Sequence, residues 1–172
     1  MSTTNALVLF GGPAGAGKST FAAAWCATRE RAVHLQLDDV RSLIVSGLAD
    51  PQSNDGAVGP QYKLSVRACC RLAAVFLEAS YDVAIDDVLE PSAFEEAWRP
   101  ALGSMAFTAV IVLPSLDETL QRSRNREKHV REDLTRSQYE ACEQWPEELR
   151  LDTTGLSVRE SLVVARDRGM LA

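Results

Sequence analysis

The residues Gly12 to Thr20, GPAGAGKST, constrain this chain more than any other stretch. They complete the pattern G-x-x-x-x-G-K-S, with Gly12, Gly17, Lys18 and Ser19 at the required places. An apolar run, Ala6 to Phe10, precedes them, and Phe21 to Trp25 continues as a helix. Strand, glycine loop and helix in that order form one supersecondary unit. A loop that wraps anionic oxygens must turn its N–H groups inward, which needs backbone angles that glycine adopts at least cost. Gly12, Gly15 and Gly17 supply them. The helix opening near Lys18 adds the positive end of its dipole. The whole loop, Gly12, Pro13, Ala14, Gly15, Ala16, Gly17, Lys18, Ser19 and Thr20, therefore reads as a seat for nucleotide phosphates. Lys18 brings a point charge to the β and γ phosphates, and the Ser19 hydroxyl is available to Mg²⁺.

The 172 residues suit one domain with a core of its own, and 46% hydrophobic with 24% charged residues is ordinary for a globular chain. No apolar run approaches the length needed to span a bilayer, and Met1 to Asn5 lacks the layout of a signal peptide. A cytoplasmic protein without a membrane partner is the expectation. Cys26, Cys69, Cys70 and Cys142 have no metal-type spacing and read as buried reduced thiols. A net charge of −6 argues against a broad surface for duplex nucleic acid, while leaving room for a small basic pocket.

Beyond the loop, Ala32 to Leu37 reads as a second strand ending at Asp38 and Asp39, with a helix from there to a stop at Gly47. Ala49 to Pro60 has the composition of a loop, and apolar spacing from Gln61 to Ala79 predicts a helix carrying Arg67 and Arg71. Asp82 to Asp87 is a strand ending in carboxylates, followed by a helix over 92–102. Phe107 to Leu113 is a β-branched strand closed by Pro114. A helix from Ser115 runs into an arginine-rich segment, another spans about Thr135 to Gln144, and Arg150 to Asp152 and Ser157 to Arg168 close the chain as strand and helix. Alternating β and α elements imply an α/β fold with a parallel sheet covered on both faces.

In such a sheet the ligand lies beyond the carboxyl ends of the strands. Asp38 with Asp39, and Asp86 with Asp87, arrive at that edge beside the glycine loop. Acids there suit Mg²⁺ organisation, with Asp86 as the candidate, and activation of a hydroxyl; they equally suit a helix cap and a turn. Asp38 and Arg41, three residues apart in LDDVR, pair a base with a cation that can hold an acceptor, and Asp87 and Arg67 are further acceptor contacts. Arg122 to Arg131 carries five cations against a single Glu127, which reads as a lid over about 122–133 or as a solvated basic face. Arg122 and Arg126 share a helical face and are the candidates to stabilise the transferring phosphoryl group. His34 reads as a core or edge histidine.

With these residues in place, the chain resembles the P-loop kinases of the adenylate-kinase-like group. One relative is the chloramphenicol phosphotransferases, through Gly12 to Thr20, Asp38, Ile85 to Val88, Arg122 to Arg131 and Asp152 to Thr154. The other is the kinase domain of phage polynucleotide kinases, through Leu37 to Arg41. The resemblance implies a three-layer P-loop NTPase fold with a five-stranded parallel sheet, helices on both faces and a short arginine-rich lid. It implies Asp38 as general base, Arg41 as acceptor grip, and Asp152 to Gly155, with Asp152 and Thr154 as named contacts, bordering the adenine of ATP. The expected reaction is ATP- and Mg²⁺-dependent phosphorylation of a small-molecule hydroxyl, with antibiotics among the acceptors. A polynucleotide 5′-hydroxyl kinase and a regulatory ATPase without an acceptor are the alternatives.

Overall fold

A computed structural model describes residues 5–53, 55–125 and 130–171. Its strands are β1 (Leu7–Gly11), β2 (Ala32–Gln36), β3 (Asp82–Asp86), β4 (Thr108–Val112) and β5 (Arg150–Leu151). They pair in parallel in the order β2-β3-β1-β4-β5, so the strand that feeds the glycine loop lies at the centre. The helices are α1 (Lys18–Cys26), α2 (Leu37–Ser42), α3 (Val58–Glu78), α4 (Pro91–Ala93), α5 (Arg99–Leu102), α6 (Leu116–Arg124), α7 (Glu132–Cys142) and α8 (Val158–Asp167). A π-helical turn, Phe94–Trp98, joins α4 to α5.

Alternation along the central strands decides everything that follows. Val8, Phe10, Ala84, Val110 and Val112 face Phe21, Ala22 and Trp25 of α1 and Ala165 of α8. Leu7, Leu9, Val83, Ile85 and Ile111 face the opposite layer, where Val66, Cys69 and Ala73 of α3 meet Phe94 and Trp98. The three central strands β3, β1 and β4 are buried on both sides, which is why these runs are almost continuously apolar. Phe10 meets Phe21 and Trp25 edge-on at 5.5 and 5.8 Å between ring centroids. Burying each of these side chains contributes about 1.5–3 kcal/mol.

Three element boundaries differ from the sequence expectation by three residues or more. The helix expected to run to Gly47 ends at Ser42, whose hydroxyl donates to the Asp39 carbonyl at 2.7 Å. Beyond it Leu43 and Val45 are 73% and 97% exposed, so no apolar face exists there to hold a longer helix. The next helix starts at Val58 rather than Gln61, because Pro60 falls in a first turn, where a missing N–H costs nothing. The last one before β5 starts at Glu132 rather than Thr135, with Glu132 and Asp133 in its first turn where the dipole favours acids.

Candidate nucleotide and phosphoryl-transfer site

The glycine loop leaves β1 and is clamped between neighbours that leave no space for side chains. A Cβ on Gly12 would stand 2.3 Å from the Val112 carbonyl oxygen, and one on Gly15 would stand 2.4 Å from that of Thr119 in α6. Both residues also have positive φ, 141° and 87°, so two independent constraints require glycine. The Gly12 N–H donates to Val88 O at 2.9 Å, the Ala16 N–H to Pro13 O at 3.1 Å, and the Ala14 N–H to Gln138 Oε1 of α7 at 3.1 Å. Gly17 caps α1 in the left-handed conformation, and Lys18 begins the helix. The first-turn N–H groups that follow have no acceptor within a helix, which is the donor set an anion needs. Lys18 Nζ donates to Pro13 O at 3.4 Å, back across the loop.

Asp86 and Asp87 are neighbours in sequence but serve opposite faces of the sheet. Asp86 faces α1, where its Oδ1 accepts the Ser19 hydroxyl at 3.0 Å, and its Oδ2 lies 2.5 Å from His34 Nε2. His34 on β2 pairs with Ala84, two residues before Asp86, so alternation sends both side chains the same way. A hydroxyl and a carboxylate so close are hard oxygen donors suited to Mg²⁺, which completes its shell with phosphate oxygens and water. Ser19 and Asp86 thus fit such an ion. Asp87 faces α3 instead, where its Oδ2 accepts Tyr62 Oη–H at 2.6 Å and Trp98 Nε1–H at 3.1 Å. Burial pushes the Asp87 carboxyl above its usual range, against the pull of those two donors, and burial likewise raises Tyr62.

A cavity of about 170 Å³ opens beside the loop, bordered by Ala16, Gly17, Thr20, Arg122, Thr153 and Leu156. Arg122 Nη1 lies 3.6 Å from where a Gly17 Cβ would be, placing a guanidinium beside the loop. Glu118 holds it in an ion pair, and the other Glu118 oxygen accepts the Gly155 N–H at 3.0 Å. Thr153 borders the cavity, and its buried hydroxyl has no hydrogen-bond partner among the described residues. Asp152 and Thr154, the residues expected against the base, are turned to each other: Asp152 Oδ1 accepts the Thr154 N–H at 2.8 Å, and Thr154 Oγ1 accepts the Ser115 N–H at 2.7 Å. They shape the loop that Thr153 presents.

The remaining sequence candidates divide. Asp38 is exposed in the first turn of α2. Arg41 is 9% exposed, and its Nη2 donates to the Ala49 carbonyl, which ties the guanidinium to the loop after α2. Arg67 is exposed on α3. Arg126 lies outside the described residues. The described cations near it are paired with acids that a reading of 122–131 alone overlooks: Arg124 with Glu132 at 2.7 Å, and Arg131 with Asp133. Sequence reasoning also missed Glu118, Tyr62, Trp98 and the bond from His34 to Asp86. Only Glu118 carried a local signal, its i, i+4 spacing to Arg122.

A family profile described as an AAA domain matches residues 7–149. A search among curated proteins finds no match. Among solved structures the chain is similar to a sugar kinase from Janibacter sp. HTCC2649, with 16% identity, TM-score 0.68, and 98% of this chain and 96% of that one covered. It is similar to the tunicamycin resistance protein of Deinococcus radiodurans, with 16% identity, TM-score 0.67 and 97% of each chain covered. It is also similar to the APS kinase of Mycobacterium tuberculosis in complex with AMPPNP and APS, with 17% identity, TM-score 0.61, and 96% and 97% covered. At these identities the likeness is one of fold, that of a P-loop NTPase with a five-stranded parallel sheet between helices.

Proposed function

The chain belongs to the AAA domain family, and on that footing we propose that it is an ATP- and Mg²⁺-dependent kinase that phosphorylates a hydroxyl group of a small molecule. The observation that carries this reading is the bond of Ser19 to Asp86 at 3.0 Å, which brings the glycine loop of β1 and the acid of β3 to one point on the sheet edge. The cavity beside Gly17 supports a base next to that point.

In this reading the loop N–H groups and Lys18 hold the β and γ phosphates, and Ser19 and Asp86 hold the metal ion. Mg²⁺, when bound, neutralises charge on the phosphate oxygens. Asp38 takes the proton from the acceptor hydroxyl as its oxygen bonds to the γ-phosphorus. The bond from that phosphorus to the β–γ bridging oxygen breaks, and ADP leaves with the electron pair. Arg122 stabilises the charge spread over the equatorial oxygens. Asp87, with Tyr62 and Trp98 behind it, forms a rigid wall on the α3 side where the acceptor would sit.

Calorimetry with AMPPNP and Mg²⁺, followed by γ-labelled ATP offered with sugars, hydroxyl-bearing antibiotics and 5′-hydroxyl oligonucleotides, tests the reading. Label on a small molecule is the expected result. Label on the oligonucleotide would replace it with the polynucleotide alternative, and phosphate release with no labelled acceptor would replace it with a regulatory ATPase.

A further inference from the structure

Gln138 stands on the inward stripe of α7, three residues after Thr135 and four before Cys142, both of which are fully buried. A long polar side chain on that stripe needs a partner, and it finds one in the glycine loop: Oε1 accepts the N–H of Ala14, itself only 5% exposed. The donor is a backbone N–H, so the oxygen end of the amide must face it. This contact fixes more than one atom. In a trans peptide the N–H and C=O point in opposite directions, and the peptide that carries the Ala14 N–H carries the Pro13 carbonyl at its other end. That carbonyl accepts the Ala16 N–H at 3.1 Å and Lys18 Nζ at 3.4 Å. Gln138 therefore holds from outside the peptide plane on which the loop turn and the Lys18 ammonium rest from inside.

The segments on either side of Ala14 are held by other means. Gly12 is locked by the Val88 carbonyl and the approach of Val112, and Gly15 by the approach of Thr119. The base of α7 is itself fixed, since Thr135 Oγ1 lies 3.3 Å from Ser123 Oγ of α6 and Cys142 Sγ donates to Val88 O at 3.6 Å, the carbonyl that also takes the Gly12 N–H. Gln138 thus acts from a rigid support.

We infer that Gln138 is a positioning residue for Lys18: by pinning the Pro13–Ala14 peptide it sets the carbonyl that places the ammonium group and keeps the phosphate loop in its binding shape. This inference rests on the kinase reading above, because it concerns how that same site holds phosphates.

A double-mutant cycle of Gln138→Met and Lys18→Met tests it, with ADP and AMPPNP binding measured by calorimetry and folding by thermal melting. Gln138→Met keeps the side-chain length and removes the acceptor, and a weakening of both nucleotides by roughly tenfold is expected with little change in melting temperature. In the Lys18→Met background the same substitution is expected to cost less than about threefold, since residues that act through one another are not additive. Gln138→Glu, which keeps an acceptor for the Ala14 N–H, is expected to bind ADP more tightly than Gln138→Met. Where Gln138→Met does not fold, Gln138→Ala takes its place in the cycle. Additive losses, or nucleotide affinities unchanged in Gln138→Met, would overturn the inference while leaving the kinase reading intact. Absence of nucleotide binding by the wild-type protein would instead remove that reading, and the inference with it.

Discussion

His34 Nε2 lies 2.5 Å from Asp86 Oδ2, while the other oxygen of the same carboxylate accepts the hydroxyl of Ser19. The histidine is two residues behind Asp86 in the β2–β3 register and on the same face of the sheet, so it braces the carboxylate from the side away from the glycine loop. Under the proposed reading Asp86 holds the metal ion, and a brace of this kind would act on it by fixing the carboxylate's rotamer.

Replacing His34 with Ala should therefore raise the Mg²⁺ concentration needed for half-maximal AMPPNP binding by about tenfold. His34→Gln, whose amide can reach the same carboxylate oxygen, should recover part of the loss. A magnesium titration followed by calorimetry measures both, and a midpoint unchanged in His34→Ala would show that Asp86 needs no such brace.

Asp38 is assigned to the proton and not to the nucleotide. Asp38→Asn should keep ATP affinity within about threefold and lower phosphoryl transfer by roughly 10²–10⁴-fold. Binding and single-turnover transfer measured on one preparation separate the two effects; transfer at the wild-type rate would remove Asp38 from its role.

Glu118 ties Arg122 on one oxygen and the Gly155 N–H on the other, joining the guanidinium at the loop to the turn that borders the cavity. Arg122→Ala should reduce turnover by about 10²-fold or more, the scale expected for a group that stabilises developing charge. Glu118→Ala should weaken ATP binding by roughly tenfold through the loosened turn. Its effect on melting temperature should be modest, because an ion pair that remains partly in contact with solvent adds little to stability. A KM-against-kcat comparison of the two variants distinguishes these outcomes.

Burial pushes the Cys69 and Cys142 thiols up to about 12 and Cys70 to about 11 from an ordinary 9.0. These three buried thiols should then react slowly with a thiol reagent at pH 8 in the native protein, and rapidly in guanidinium. The same shifts set a pH dependence. Above pH 9 the unfolded chain releases these protons and the folded one keeps them, so stability is full below that point and falls as pH rises toward 12. Denaturant melts from pH 7 to pH 11 would show the decline; a flat profile would place these thiols outside the core.

The glycine loop, the five strands and the acids at their ends were legible because each is written locally. Glycine at fixed spacing, β-branched runs and strand-ending carboxylates need no knowledge of the rest of the chain. The partition of Asp86 and Asp87 was half legible: alternation says that they point oppositely, but only the placement of Ser19 on α1 and of Tyr62 and Trp98 on the other layer says what each meets. Arg41 was half legible for the same reason. Its place after Asp38 reads as an acceptor grip, and the carbonyl of Ala49 that takes it up is supplied by a loop whose path no local pattern specifies.

By itself, then, the sequence determined that a phosphate-binding loop follows the first strand of an α/β sheet, because backbone angles and apolar periodicity are properties of neighbouring residues. Tertiary structure alone decided that His34 braces Asp86, that Gln138 pins the loop from α7, and that within Asp152 to Gly155 it is Thr153 that borders the cavity. Each of those contacts joins elements far apart along the chain. Their geometry follows from how the layers pack, which no short stretch of residues encodes.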